Sequence, residues 1–221
     1  MVSSRAFFKS EDWGYMEAHL SPAIRRYLRE EEDFILQYAG SVDALVDVGC
    51  GEGRIVDLLL RSRENKRIFG IDISELSVKR CREKYRGKVN ISLQDARFAS
   101  FEDSSMDAAV FSFNLLGNLN PEDRAALIQE ARRYLKPAGF IVGSVYAKNA
   151  APFQVECYKD YLGFNVPFVD RKFVHFRTPR GNEIISERFG KKELEEIMRR
   201  RHFYPQVEKK DFSLFYSARK V

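Results

Sequence analysis

The sequence is short of several things that would fix its class at once. Its three cysteines, Cys50, Cys81 and Cys157, are odd in number and far apart, with no pair at metal-ligand spacing. Neither a disulfide framework nor a zinc site is suggested, and a reducing, cytoplasmic compartment is expected. No run approaches the roughly 20 apolar residues of a membrane helix, and MVSSRAFFKSEDWGYMEAHL carries charges where a signal peptide needs its apolar stretch, so a soluble protein with no membrane partner is expected. Repeats and low-complexity segments are missing. So is the phosphate-cradling G-x-x-x-x-G-K-[ST] pattern, which leaves nucleoside triphosphate hydrolysis without support. Charge of one sign is not in excess: 37 basic residues stand against 32 acidic ones, and a net charge of +5 is only mildly basic.

What is present is a chain of 221 residues, 44% hydrophobic, long enough to bury one sizeable core and short for two. A single domain over 1–221 is expected. From Asp43 onward short apolar runs alternate with amphipathic stretches, as in a parallel sheet covered by helices. DALVDVG, KRIFGIDI, VNISLQD, MDAAVFSF and GFIVGSVY read as five strands, with Ser74 and the Pro121-Glu122-Asp123 run starting helices between them. After them, Ala147 to Asp170 is aromatic and irregular, and RKFVHFRTPRGNEIISERF reads as an inserted hairpin about a Pro-Arg-Gly-Asn turn. KKELEEIMRRRHF returns to helix, and PQVEKKD and FSLFYSARK close the chain as an antiparallel pair.

LVDVGCGEGR places three glycines, Gly49, Gly51 and Gly53, directly after the first strand. Strand, glycine loop and helix is the geometry in which a ligand lies over the carboxyl ends of parallel strands, because a Cβ would hold it away from the backbone. The spacing lacks the extra residue of the G-x-G-x-x-G fingerprint, and Asp47 and Glu52 would repel a pyrophosphate. An NAD-dependent oxidoreductase is therefore disfavoured, and a ligand bearing positive charge suits the loop.

With VDVGCGEGR, GIDIS, LQDAR and LKPAGFIVGS in this order, the sequence resembles the class I S-adenosylmethionine-dependent methyltransferases, well over Asp43 to Tyr146 and more loosely beyond. The resemblance implies an α/β, Rossmann-like three-layer sandwich. Its mostly parallel seven-stranded sheet would have the order 3-2-1-4-5-7-6 and an antiparallel last strand. Residues 1–39 would form an N-terminal helical cap, 40–146 the cofactor-binding core, 147–183 a substrate-cap insertion and 184–221 the closing helix and strand pair. The implied cofactor is S-adenosyl-L-methionine. Asp47 would lie near its amino-acid end with the backbone of Gly49 and Gly51 close by, Asp72 at its ribose, and Ile73, Asp95 and Ala96 at its adenine, with Cys50, Gly53, Phe113 and Asn114 completing the site. Cys50 reads as a small spacer, since no histidine lies near it to make it a nucleophile.

The segment SFNLLGNL, after the fourth strand, is expected to border the acceptor. It lacks the Asn/Asp-Pro-Pro-Tyr/Phe motif of amino-group methyltransferases and the Pro-Cys pair of cytosine-5 enzymes, and is similar to the stretch found in small-molecule methyltransferases. The N-terminal aromatics Trp13, Tyr15 and Tyr27 and those of the insertion, Tyr146, Tyr158 and Tyr161, could form a lid that excludes water. Tyr15, Tyr146 and Arg177 are the candidate acceptor contacts, and Asn114, Tyr15 and His175 the catalytic candidates, with His19 a further possible base. Basic pairs on separate helices read as solvated surface, so nucleic acid is a disfavoured partner. The expected function is methyl transfer to a nitrogen or oxygen of a small-molecule acceptor; the alternatives are an RNA methyltransferase and a non-catalytic S-adenosylmethionine-binding protein.

Overall fold

The computed structural model describes residues 18–62, 67–179 and 181–221. Among the described residues, α1 (Pro22–Ala39) is started by Ser21, whose side-chain oxygen accepts from the Ile24 N–H, with Pro22 in the first turn. Ile24, Tyr27, Leu28, Glu31, Phe34 and Ile35 fall on its buried stripe. One of these six is a carboxylate.

Five parallel strands follow: β1 (Ala44–Val48), β2 (Arg67–Asp72), β3 (Asn90–Leu93), β4 (Met106–Phe111) and β5 (Leu135–Tyr146). They alternate with α2 (Arg54–Ser62), α3 (Glu75–Tyr85) and α4 (Pro121–Tyr134). Every residue of β1 is buried, as a strand with neighbours on both edges and helices on both faces requires. Successive residues feed opposite cores. Leu45 packs with the α1, α2 and α3 side, whereas Ala44, Val46 and Val48 pack with the α4 side. β9 (Phe203–Lys210) and β10 (Ser213–Lys220) complete a seven-stranded sheet of order β3-β2-β1-β4-β5-β10-β9, with β10 antiparallel to both neighbours. Counting only the strands of this sheet, that is the expected 3-2-1-4-5-7-6 order.

The insertion differs from the expected hairpin. After α5 (Ala151–Val155) and a wide π-type turn over Glu156–Tyr161, the chain forms a separate three-stranded antiparallel sheet, β6 (Asn165–Val169), β7 (Phe173–Arg177) and β8 (Glu183–Glu187). The additional strand is β6, an exposed edge with Pro167 at its centre and no clean alternation to announce it. β8 runs to Glu187, so the small sheet continues past the 183/184 boundary expected between insertion and closing segment. Val174, Phe176, Ile184 and Ser186 are buried beneath the small sheet. The cross-strand pairs Phe173–Glu187 and His175–Ile185 occupy its other face. A last helix, α6 (Lys191–Arg199), leads into β9. Among the described residues, no helix is long and apolar enough to cross a membrane.

Candidate active site

The glycine loop is held by the strand beside it. The N–H groups of Gly49 and Cys50 both donate to the Ile71 carbonyl, at 2.8 and 3.1 Å, and the Gly51 N–H donates to Asp72 Oδ2 at 2.8 Å. The three glycines have φ of 71°, 53° and 89°, conformations that L side chains rarely adopt. Two of them show different needs. A Cβ on Gly51 would meet nothing within 4 Å, so it would project into open space above the loop. One on Gly53 would lie 2.2 Å from the Tyr85 hydroxyl, which donates to the Gly53 carbonyl and to Asp57.

Each strand end then contributes one feature. Asp72, at the end of β2, also accepts from the Ser74 N–H at 2.8 Å; burial raises its carboxyl above the ordinary range while the backbone N–H bonds pull it back. Asp95, after β3, accepts from Arg97 through Nε and Nη2 at 3.0 and 2.7 Å and from its backbone N–H at 3.1 Å. Arg97 bonds to Asp123 as well, joining the β3 end to the first turn of α4. Phe113, after β4, has φ of 48°, and its N–H donates to Glu31 Oε1 at 2.7 Å.

A cleft of about 210 Å³ runs across these strand ends, lined by Gly49, Cys50 and Gly51, then Asp72 and Ile73, then Asp95, Ala96 and Arg97. It continues along Ser112, Phe113, Leu115 and Asn118 and ends against Phe173, Ile185 and Glu187 of the small sheet. Leu28 and Arg54 close one side. Glu187 is buried and bound by Arg124 and, at 2.8 Å, by Lys172.

Beneath the loop, Asp47 is 1% exposed, and among the described residues neither carboxylate oxygen has a hydrogen-bond partner. Burial pushes its carboxyl up to about 7; Arg54 pulls it down, and Asp72 and Glu31 push it further up. A buried carboxylate left this way is costly unless something cationic arrives.

Residues 45–139 match a family model described as a methyltransferase domain. The demethylmenaquinone methyltransferase of Desulfitobacterium hafniense (strain Y51) is 29% identical over 133 residues, 58% of this chain and 51% of that protein. The carboxy-S-adenosyl-L-methionine synthase of Shewanella sediminis (strain HAW-EB3) is 29% identical over 128 residues, 55% of this chain and 51% of that one. The 1,6-didemethyltoxoflavin-N1-methyltransferase of Burkholderia thailandensis, solved with 1,6-didemethyltoxoflavin and S-adenosylhomocysteine, shares the fold: TM-score 0.64, 17% identity, covering 88% of this chain and 78% of that one. The chain is similar to S-adenosylmethionine-dependent methyltransferases over residues 45–139. It spans about half the length of the curated relatives it matches.

The residues of the cleft and of the loop beneath it fit S-adenosylmethionine. Asp47 offers an unpaired charge to an ammonium, and Gly51 leaves room for close approach. Asp72 has about two acceptor sites left for the ribose hydroxyls after its two backbone bonds. Asp95, bound by three donors of Arg97, lies on the cleft wall where an adenine edge would meet it. Ile73 and Ala96 lie on the cleft wall.

Other expected residues sit elsewhere. Gly53 lies against Tyr85, outside the lining. Cys50 lines the cleft, and the neighbouring Cys81 thiol together with burial raises its pKa well above the ordinary value, which leaves it a protonated spacer. Asn114 is buried away from the lining: its Oδ1 accepts from the Tyr146 N–H at 3.1 Å and its Nδ2 donates to Ser186 at 2.9 Å, tying the β4 end to β5 and β8. Tyr146 is 1% exposed among Tyr27 and Phe113, His175 packs edge-on to Phe168, and exposed Arg177 pairs with Glu183. None of these three lines the cleft. His19 is exposed and also lies outside the lining, and Trp13 and Tyr15 lie outside the described residues.

The insertion residues that do reach the cleft, Phe173, Ile185 and Glu187, were not expected. Alternation alone assigns them to a face without telling which face looks inward. Glu31 had a signal: it is the acid on the apolar stripe of α1, in register with Tyr27 and Phe34.

Proposed function

We propose that this chain transfers a methyl group from S-adenosylmethionine to a nitrogen or oxygen of a small-molecule acceptor, releasing S-adenosylhomocysteine. One observation carries the reading. The cleft is continuous from the glycine loop to the small sheet, so a nucleoside end and an acceptor end share one space. When bound, the cofactor supplies a methyl carbon on a positively charged sulfur, which the acceptor's lone pair attacks as the carbon–sulfur bond breaks.

The chain's part is orientation and exclusion of water. Leu28, Phe113, Leu115, Phe173 and Ile185 give the acceptor end an apolar lining, suited to a flat or ring-bearing molecule. Glu187 has its carboxylate bound by Arg124 and Lys172, so it fixes the wall rather than serving as a free base. A neutral amine needs no proton removed before it attacks.

Charge narrows the acceptor further. The two cations on the lining are each bound to two carboxylates, Arg54 to Glu31 and Glu32, and Arg97 to Asp95 and Asp123. An anionic acceptor, or a cofactor bearing an extra carboxylate, would find no uncommitted guanidinium, which favours a neutral or cationic acceptor. Incubation of the protein with cofactor labelled in its methyl group and a panel of neutral, cationic and anionic metabolites tests this. Label is expected in neutral or cationic products. Transfer confined to carboxylates or to RNA would overturn the small-molecule reading, and binding without transfer to any acceptor would leave a cofactor-binding protein.

A further inference from the structure

The mechanism makes no use of Glu31, which is fully buried 16 positions before Asp47 in sequence yet close to it in space. It lies on α1, and its partners come from three other elements. Arg54 Nη2, at the start of α2, donates to its Oε2 at 2.5 Å; the Phe113 N–H, after β4, donates to Oε1 at 2.7 Å; and the Ser144 hydroxyl of β5 donates to the same oxygen. Glu32 takes the other end of the guanidinium, at 2.9 Å to Nη1. Arg54 therefore faces the glycine-loop end of the cleft with both of its forks held by α1.

Asp47, close enough to Arg54 to feel its charge, has no hydrogen-bond partner among the described residues. An arginine near a bare buried carboxylate would ordinarily close on it, since the pair is worth far more to the carboxylate than its isolation. What prevents this is the prior claim of Glu31 and Glu32. We infer that Glu31 is a positioning residue: by binding Arg54 it keeps the Asp47 carboxylate open for the ammonium of the ligand. The inference rests on the cofactor reading given above and adds to it a reason for the N-terminal helix to be part of the site.

The groups around Asp47 set how this is tested. Arg54 faces it from α2, Asp72 from β2 and Glu31 from α1, and Cys50 and Tyr85 lie within electrostatic reach. Tyr27, Tyr146 and Tyr216 look toward Glu31 and are held neutral by burial. In Glu31→Gln the amide oxygen still accepts from Phe113 and Ser144, while the amide N–H groups turn away the guanidinium. Arg54 is released toward Asp47, which both loses a neighbouring negative charge and gains a positive one.

S-adenosylhomocysteine is the probe, and its affinity is measured by calorimetry between about pH 5 and 8.5. In the unaltered protein, affinity should rise with pH as Asp47 ionises around 7 and then level off. The ligand's own amine is that of a free amino acid, whose neighbouring carboxylate keeps it protonated across this range in both proteins, so the acidic limb reports the protein's group. For Glu31→Gln that limb is expected to move down by about one pH unit and the plateau to weaken by about tenfold. A purely structural role would lower the melting temperature and leave the limb in place, and that result overturns the inference. Glu32→Gln, at a partly exposed position, is expected to shift the limb in the same direction by less. If Glu31→Gln does not fold, an unshifted limb in Glu32→Gln overturns the inference. Absence of S-adenosylhomocysteine binding to the unaltered protein at every pH would defeat the cofactor reading as well, whereas normal binding with unchanged profiles defeats this inference alone.

Discussion

Asp47→Asn should make the ligand-free protein more stable and a poorer binder. The Asp47 carboxyl titrates near 7 in the folded chain against 3.8 for the free group. Between those values the folded state holds a proton that the unfolded state has lost, so stability falls as pH rises through this window and the full cost is present above about pH 7. Roughly three pH units correspond to about 4 kcal/mol. Asparagine removes that cost but leaves a buried amide without partners, at about 1–3 kcal/mol, so the net gain at pH 8 is about 1–3 kcal/mol. For a chain of this size that raises the melting temperature by about 2–12 °C. The decisive quantity is the difference between variant and unaltered protein in urea unfolding without ligand at pH 5 and pH 8. The amide penalty is independent of pH, so the difference should favour the variant more at pH 8 than at pH 5. Added S-adenosylhomocysteine should then stabilise the unaltered protein more than the variant. A stability difference that does not change with pH would refute the reasoning, because it would mean that Asp47 has a cation or donor that leaves it ionised at ordinary pH.

Two other substitutions separate the two ends of the cleft. Asp72→Asn should weaken S-adenosylhomocysteine binding by about 10- to 100-fold while leaving unchanged the affinity for an analogue lacking both ribose hydroxyls; equal losses for the two ligands would remove the ribose assignment. Because Asp72 also accepts from Gly51 and Ser74, the same variant should lose about 1–3 kcal/mol of stability, read from denaturant unfolding. Phe173→Ala should raise KM for the acceptor by about 5- to 50-fold with cofactor affinity intact, since it strips the wall at the small-sheet end only. A loss confined to cofactor binding in that variant would place Phe173 at the wrong end.

The parts of this molecule that could be read from sequence are those whose signal is local. The order of the main sheet follows from five apolar runs separated by helical periodicity and from a family resemblance carried by glycines and strand-end acids. Asp72 and Asp95 could be placed because the end of a parallel strand is a fixed point in this architecture. The acceptor wall could not be placed in this way. Phe173 and Phe176 belong to one strand and look alike in sequence, yet Phe176 packs in the core at 1% exposure and Phe173 faces the cleft. Which face looks inward is decided by how the small sheet docks, and no short stretch of sequence records that. Asn114 misled for a related reason: a polar residue after a strand end reads as a ligand contact, whereas here its two ends are taken by Tyr146 and Ser186. In an unusual left-handed turn, with φ of 58°, it serves the backbone.

The acids also set the charge that a ligand over the glycine loop would meet. A phosphate over Gly51 would lie beside Asp72 and above Asp47, and the Arg54 guanidinium that might have answered it is bound by Glu31 and Glu32. At an effective dielectric near 20, two like charges about 4 Å apart repel by about 4 kcal/mol, enough to cancel what a few backbone N–H groups offer an anion. An ammonium in that place reverses the sign of the same quantity. Asp47 is buried behind the lining, so its charge acts on whatever fills the loop with little screening, whereas the charge of Glu31 is met by Arg54. On the proposed reading, the helix that precedes the sheet contributes to the choice of a cation by holding Arg54 away from Asp47.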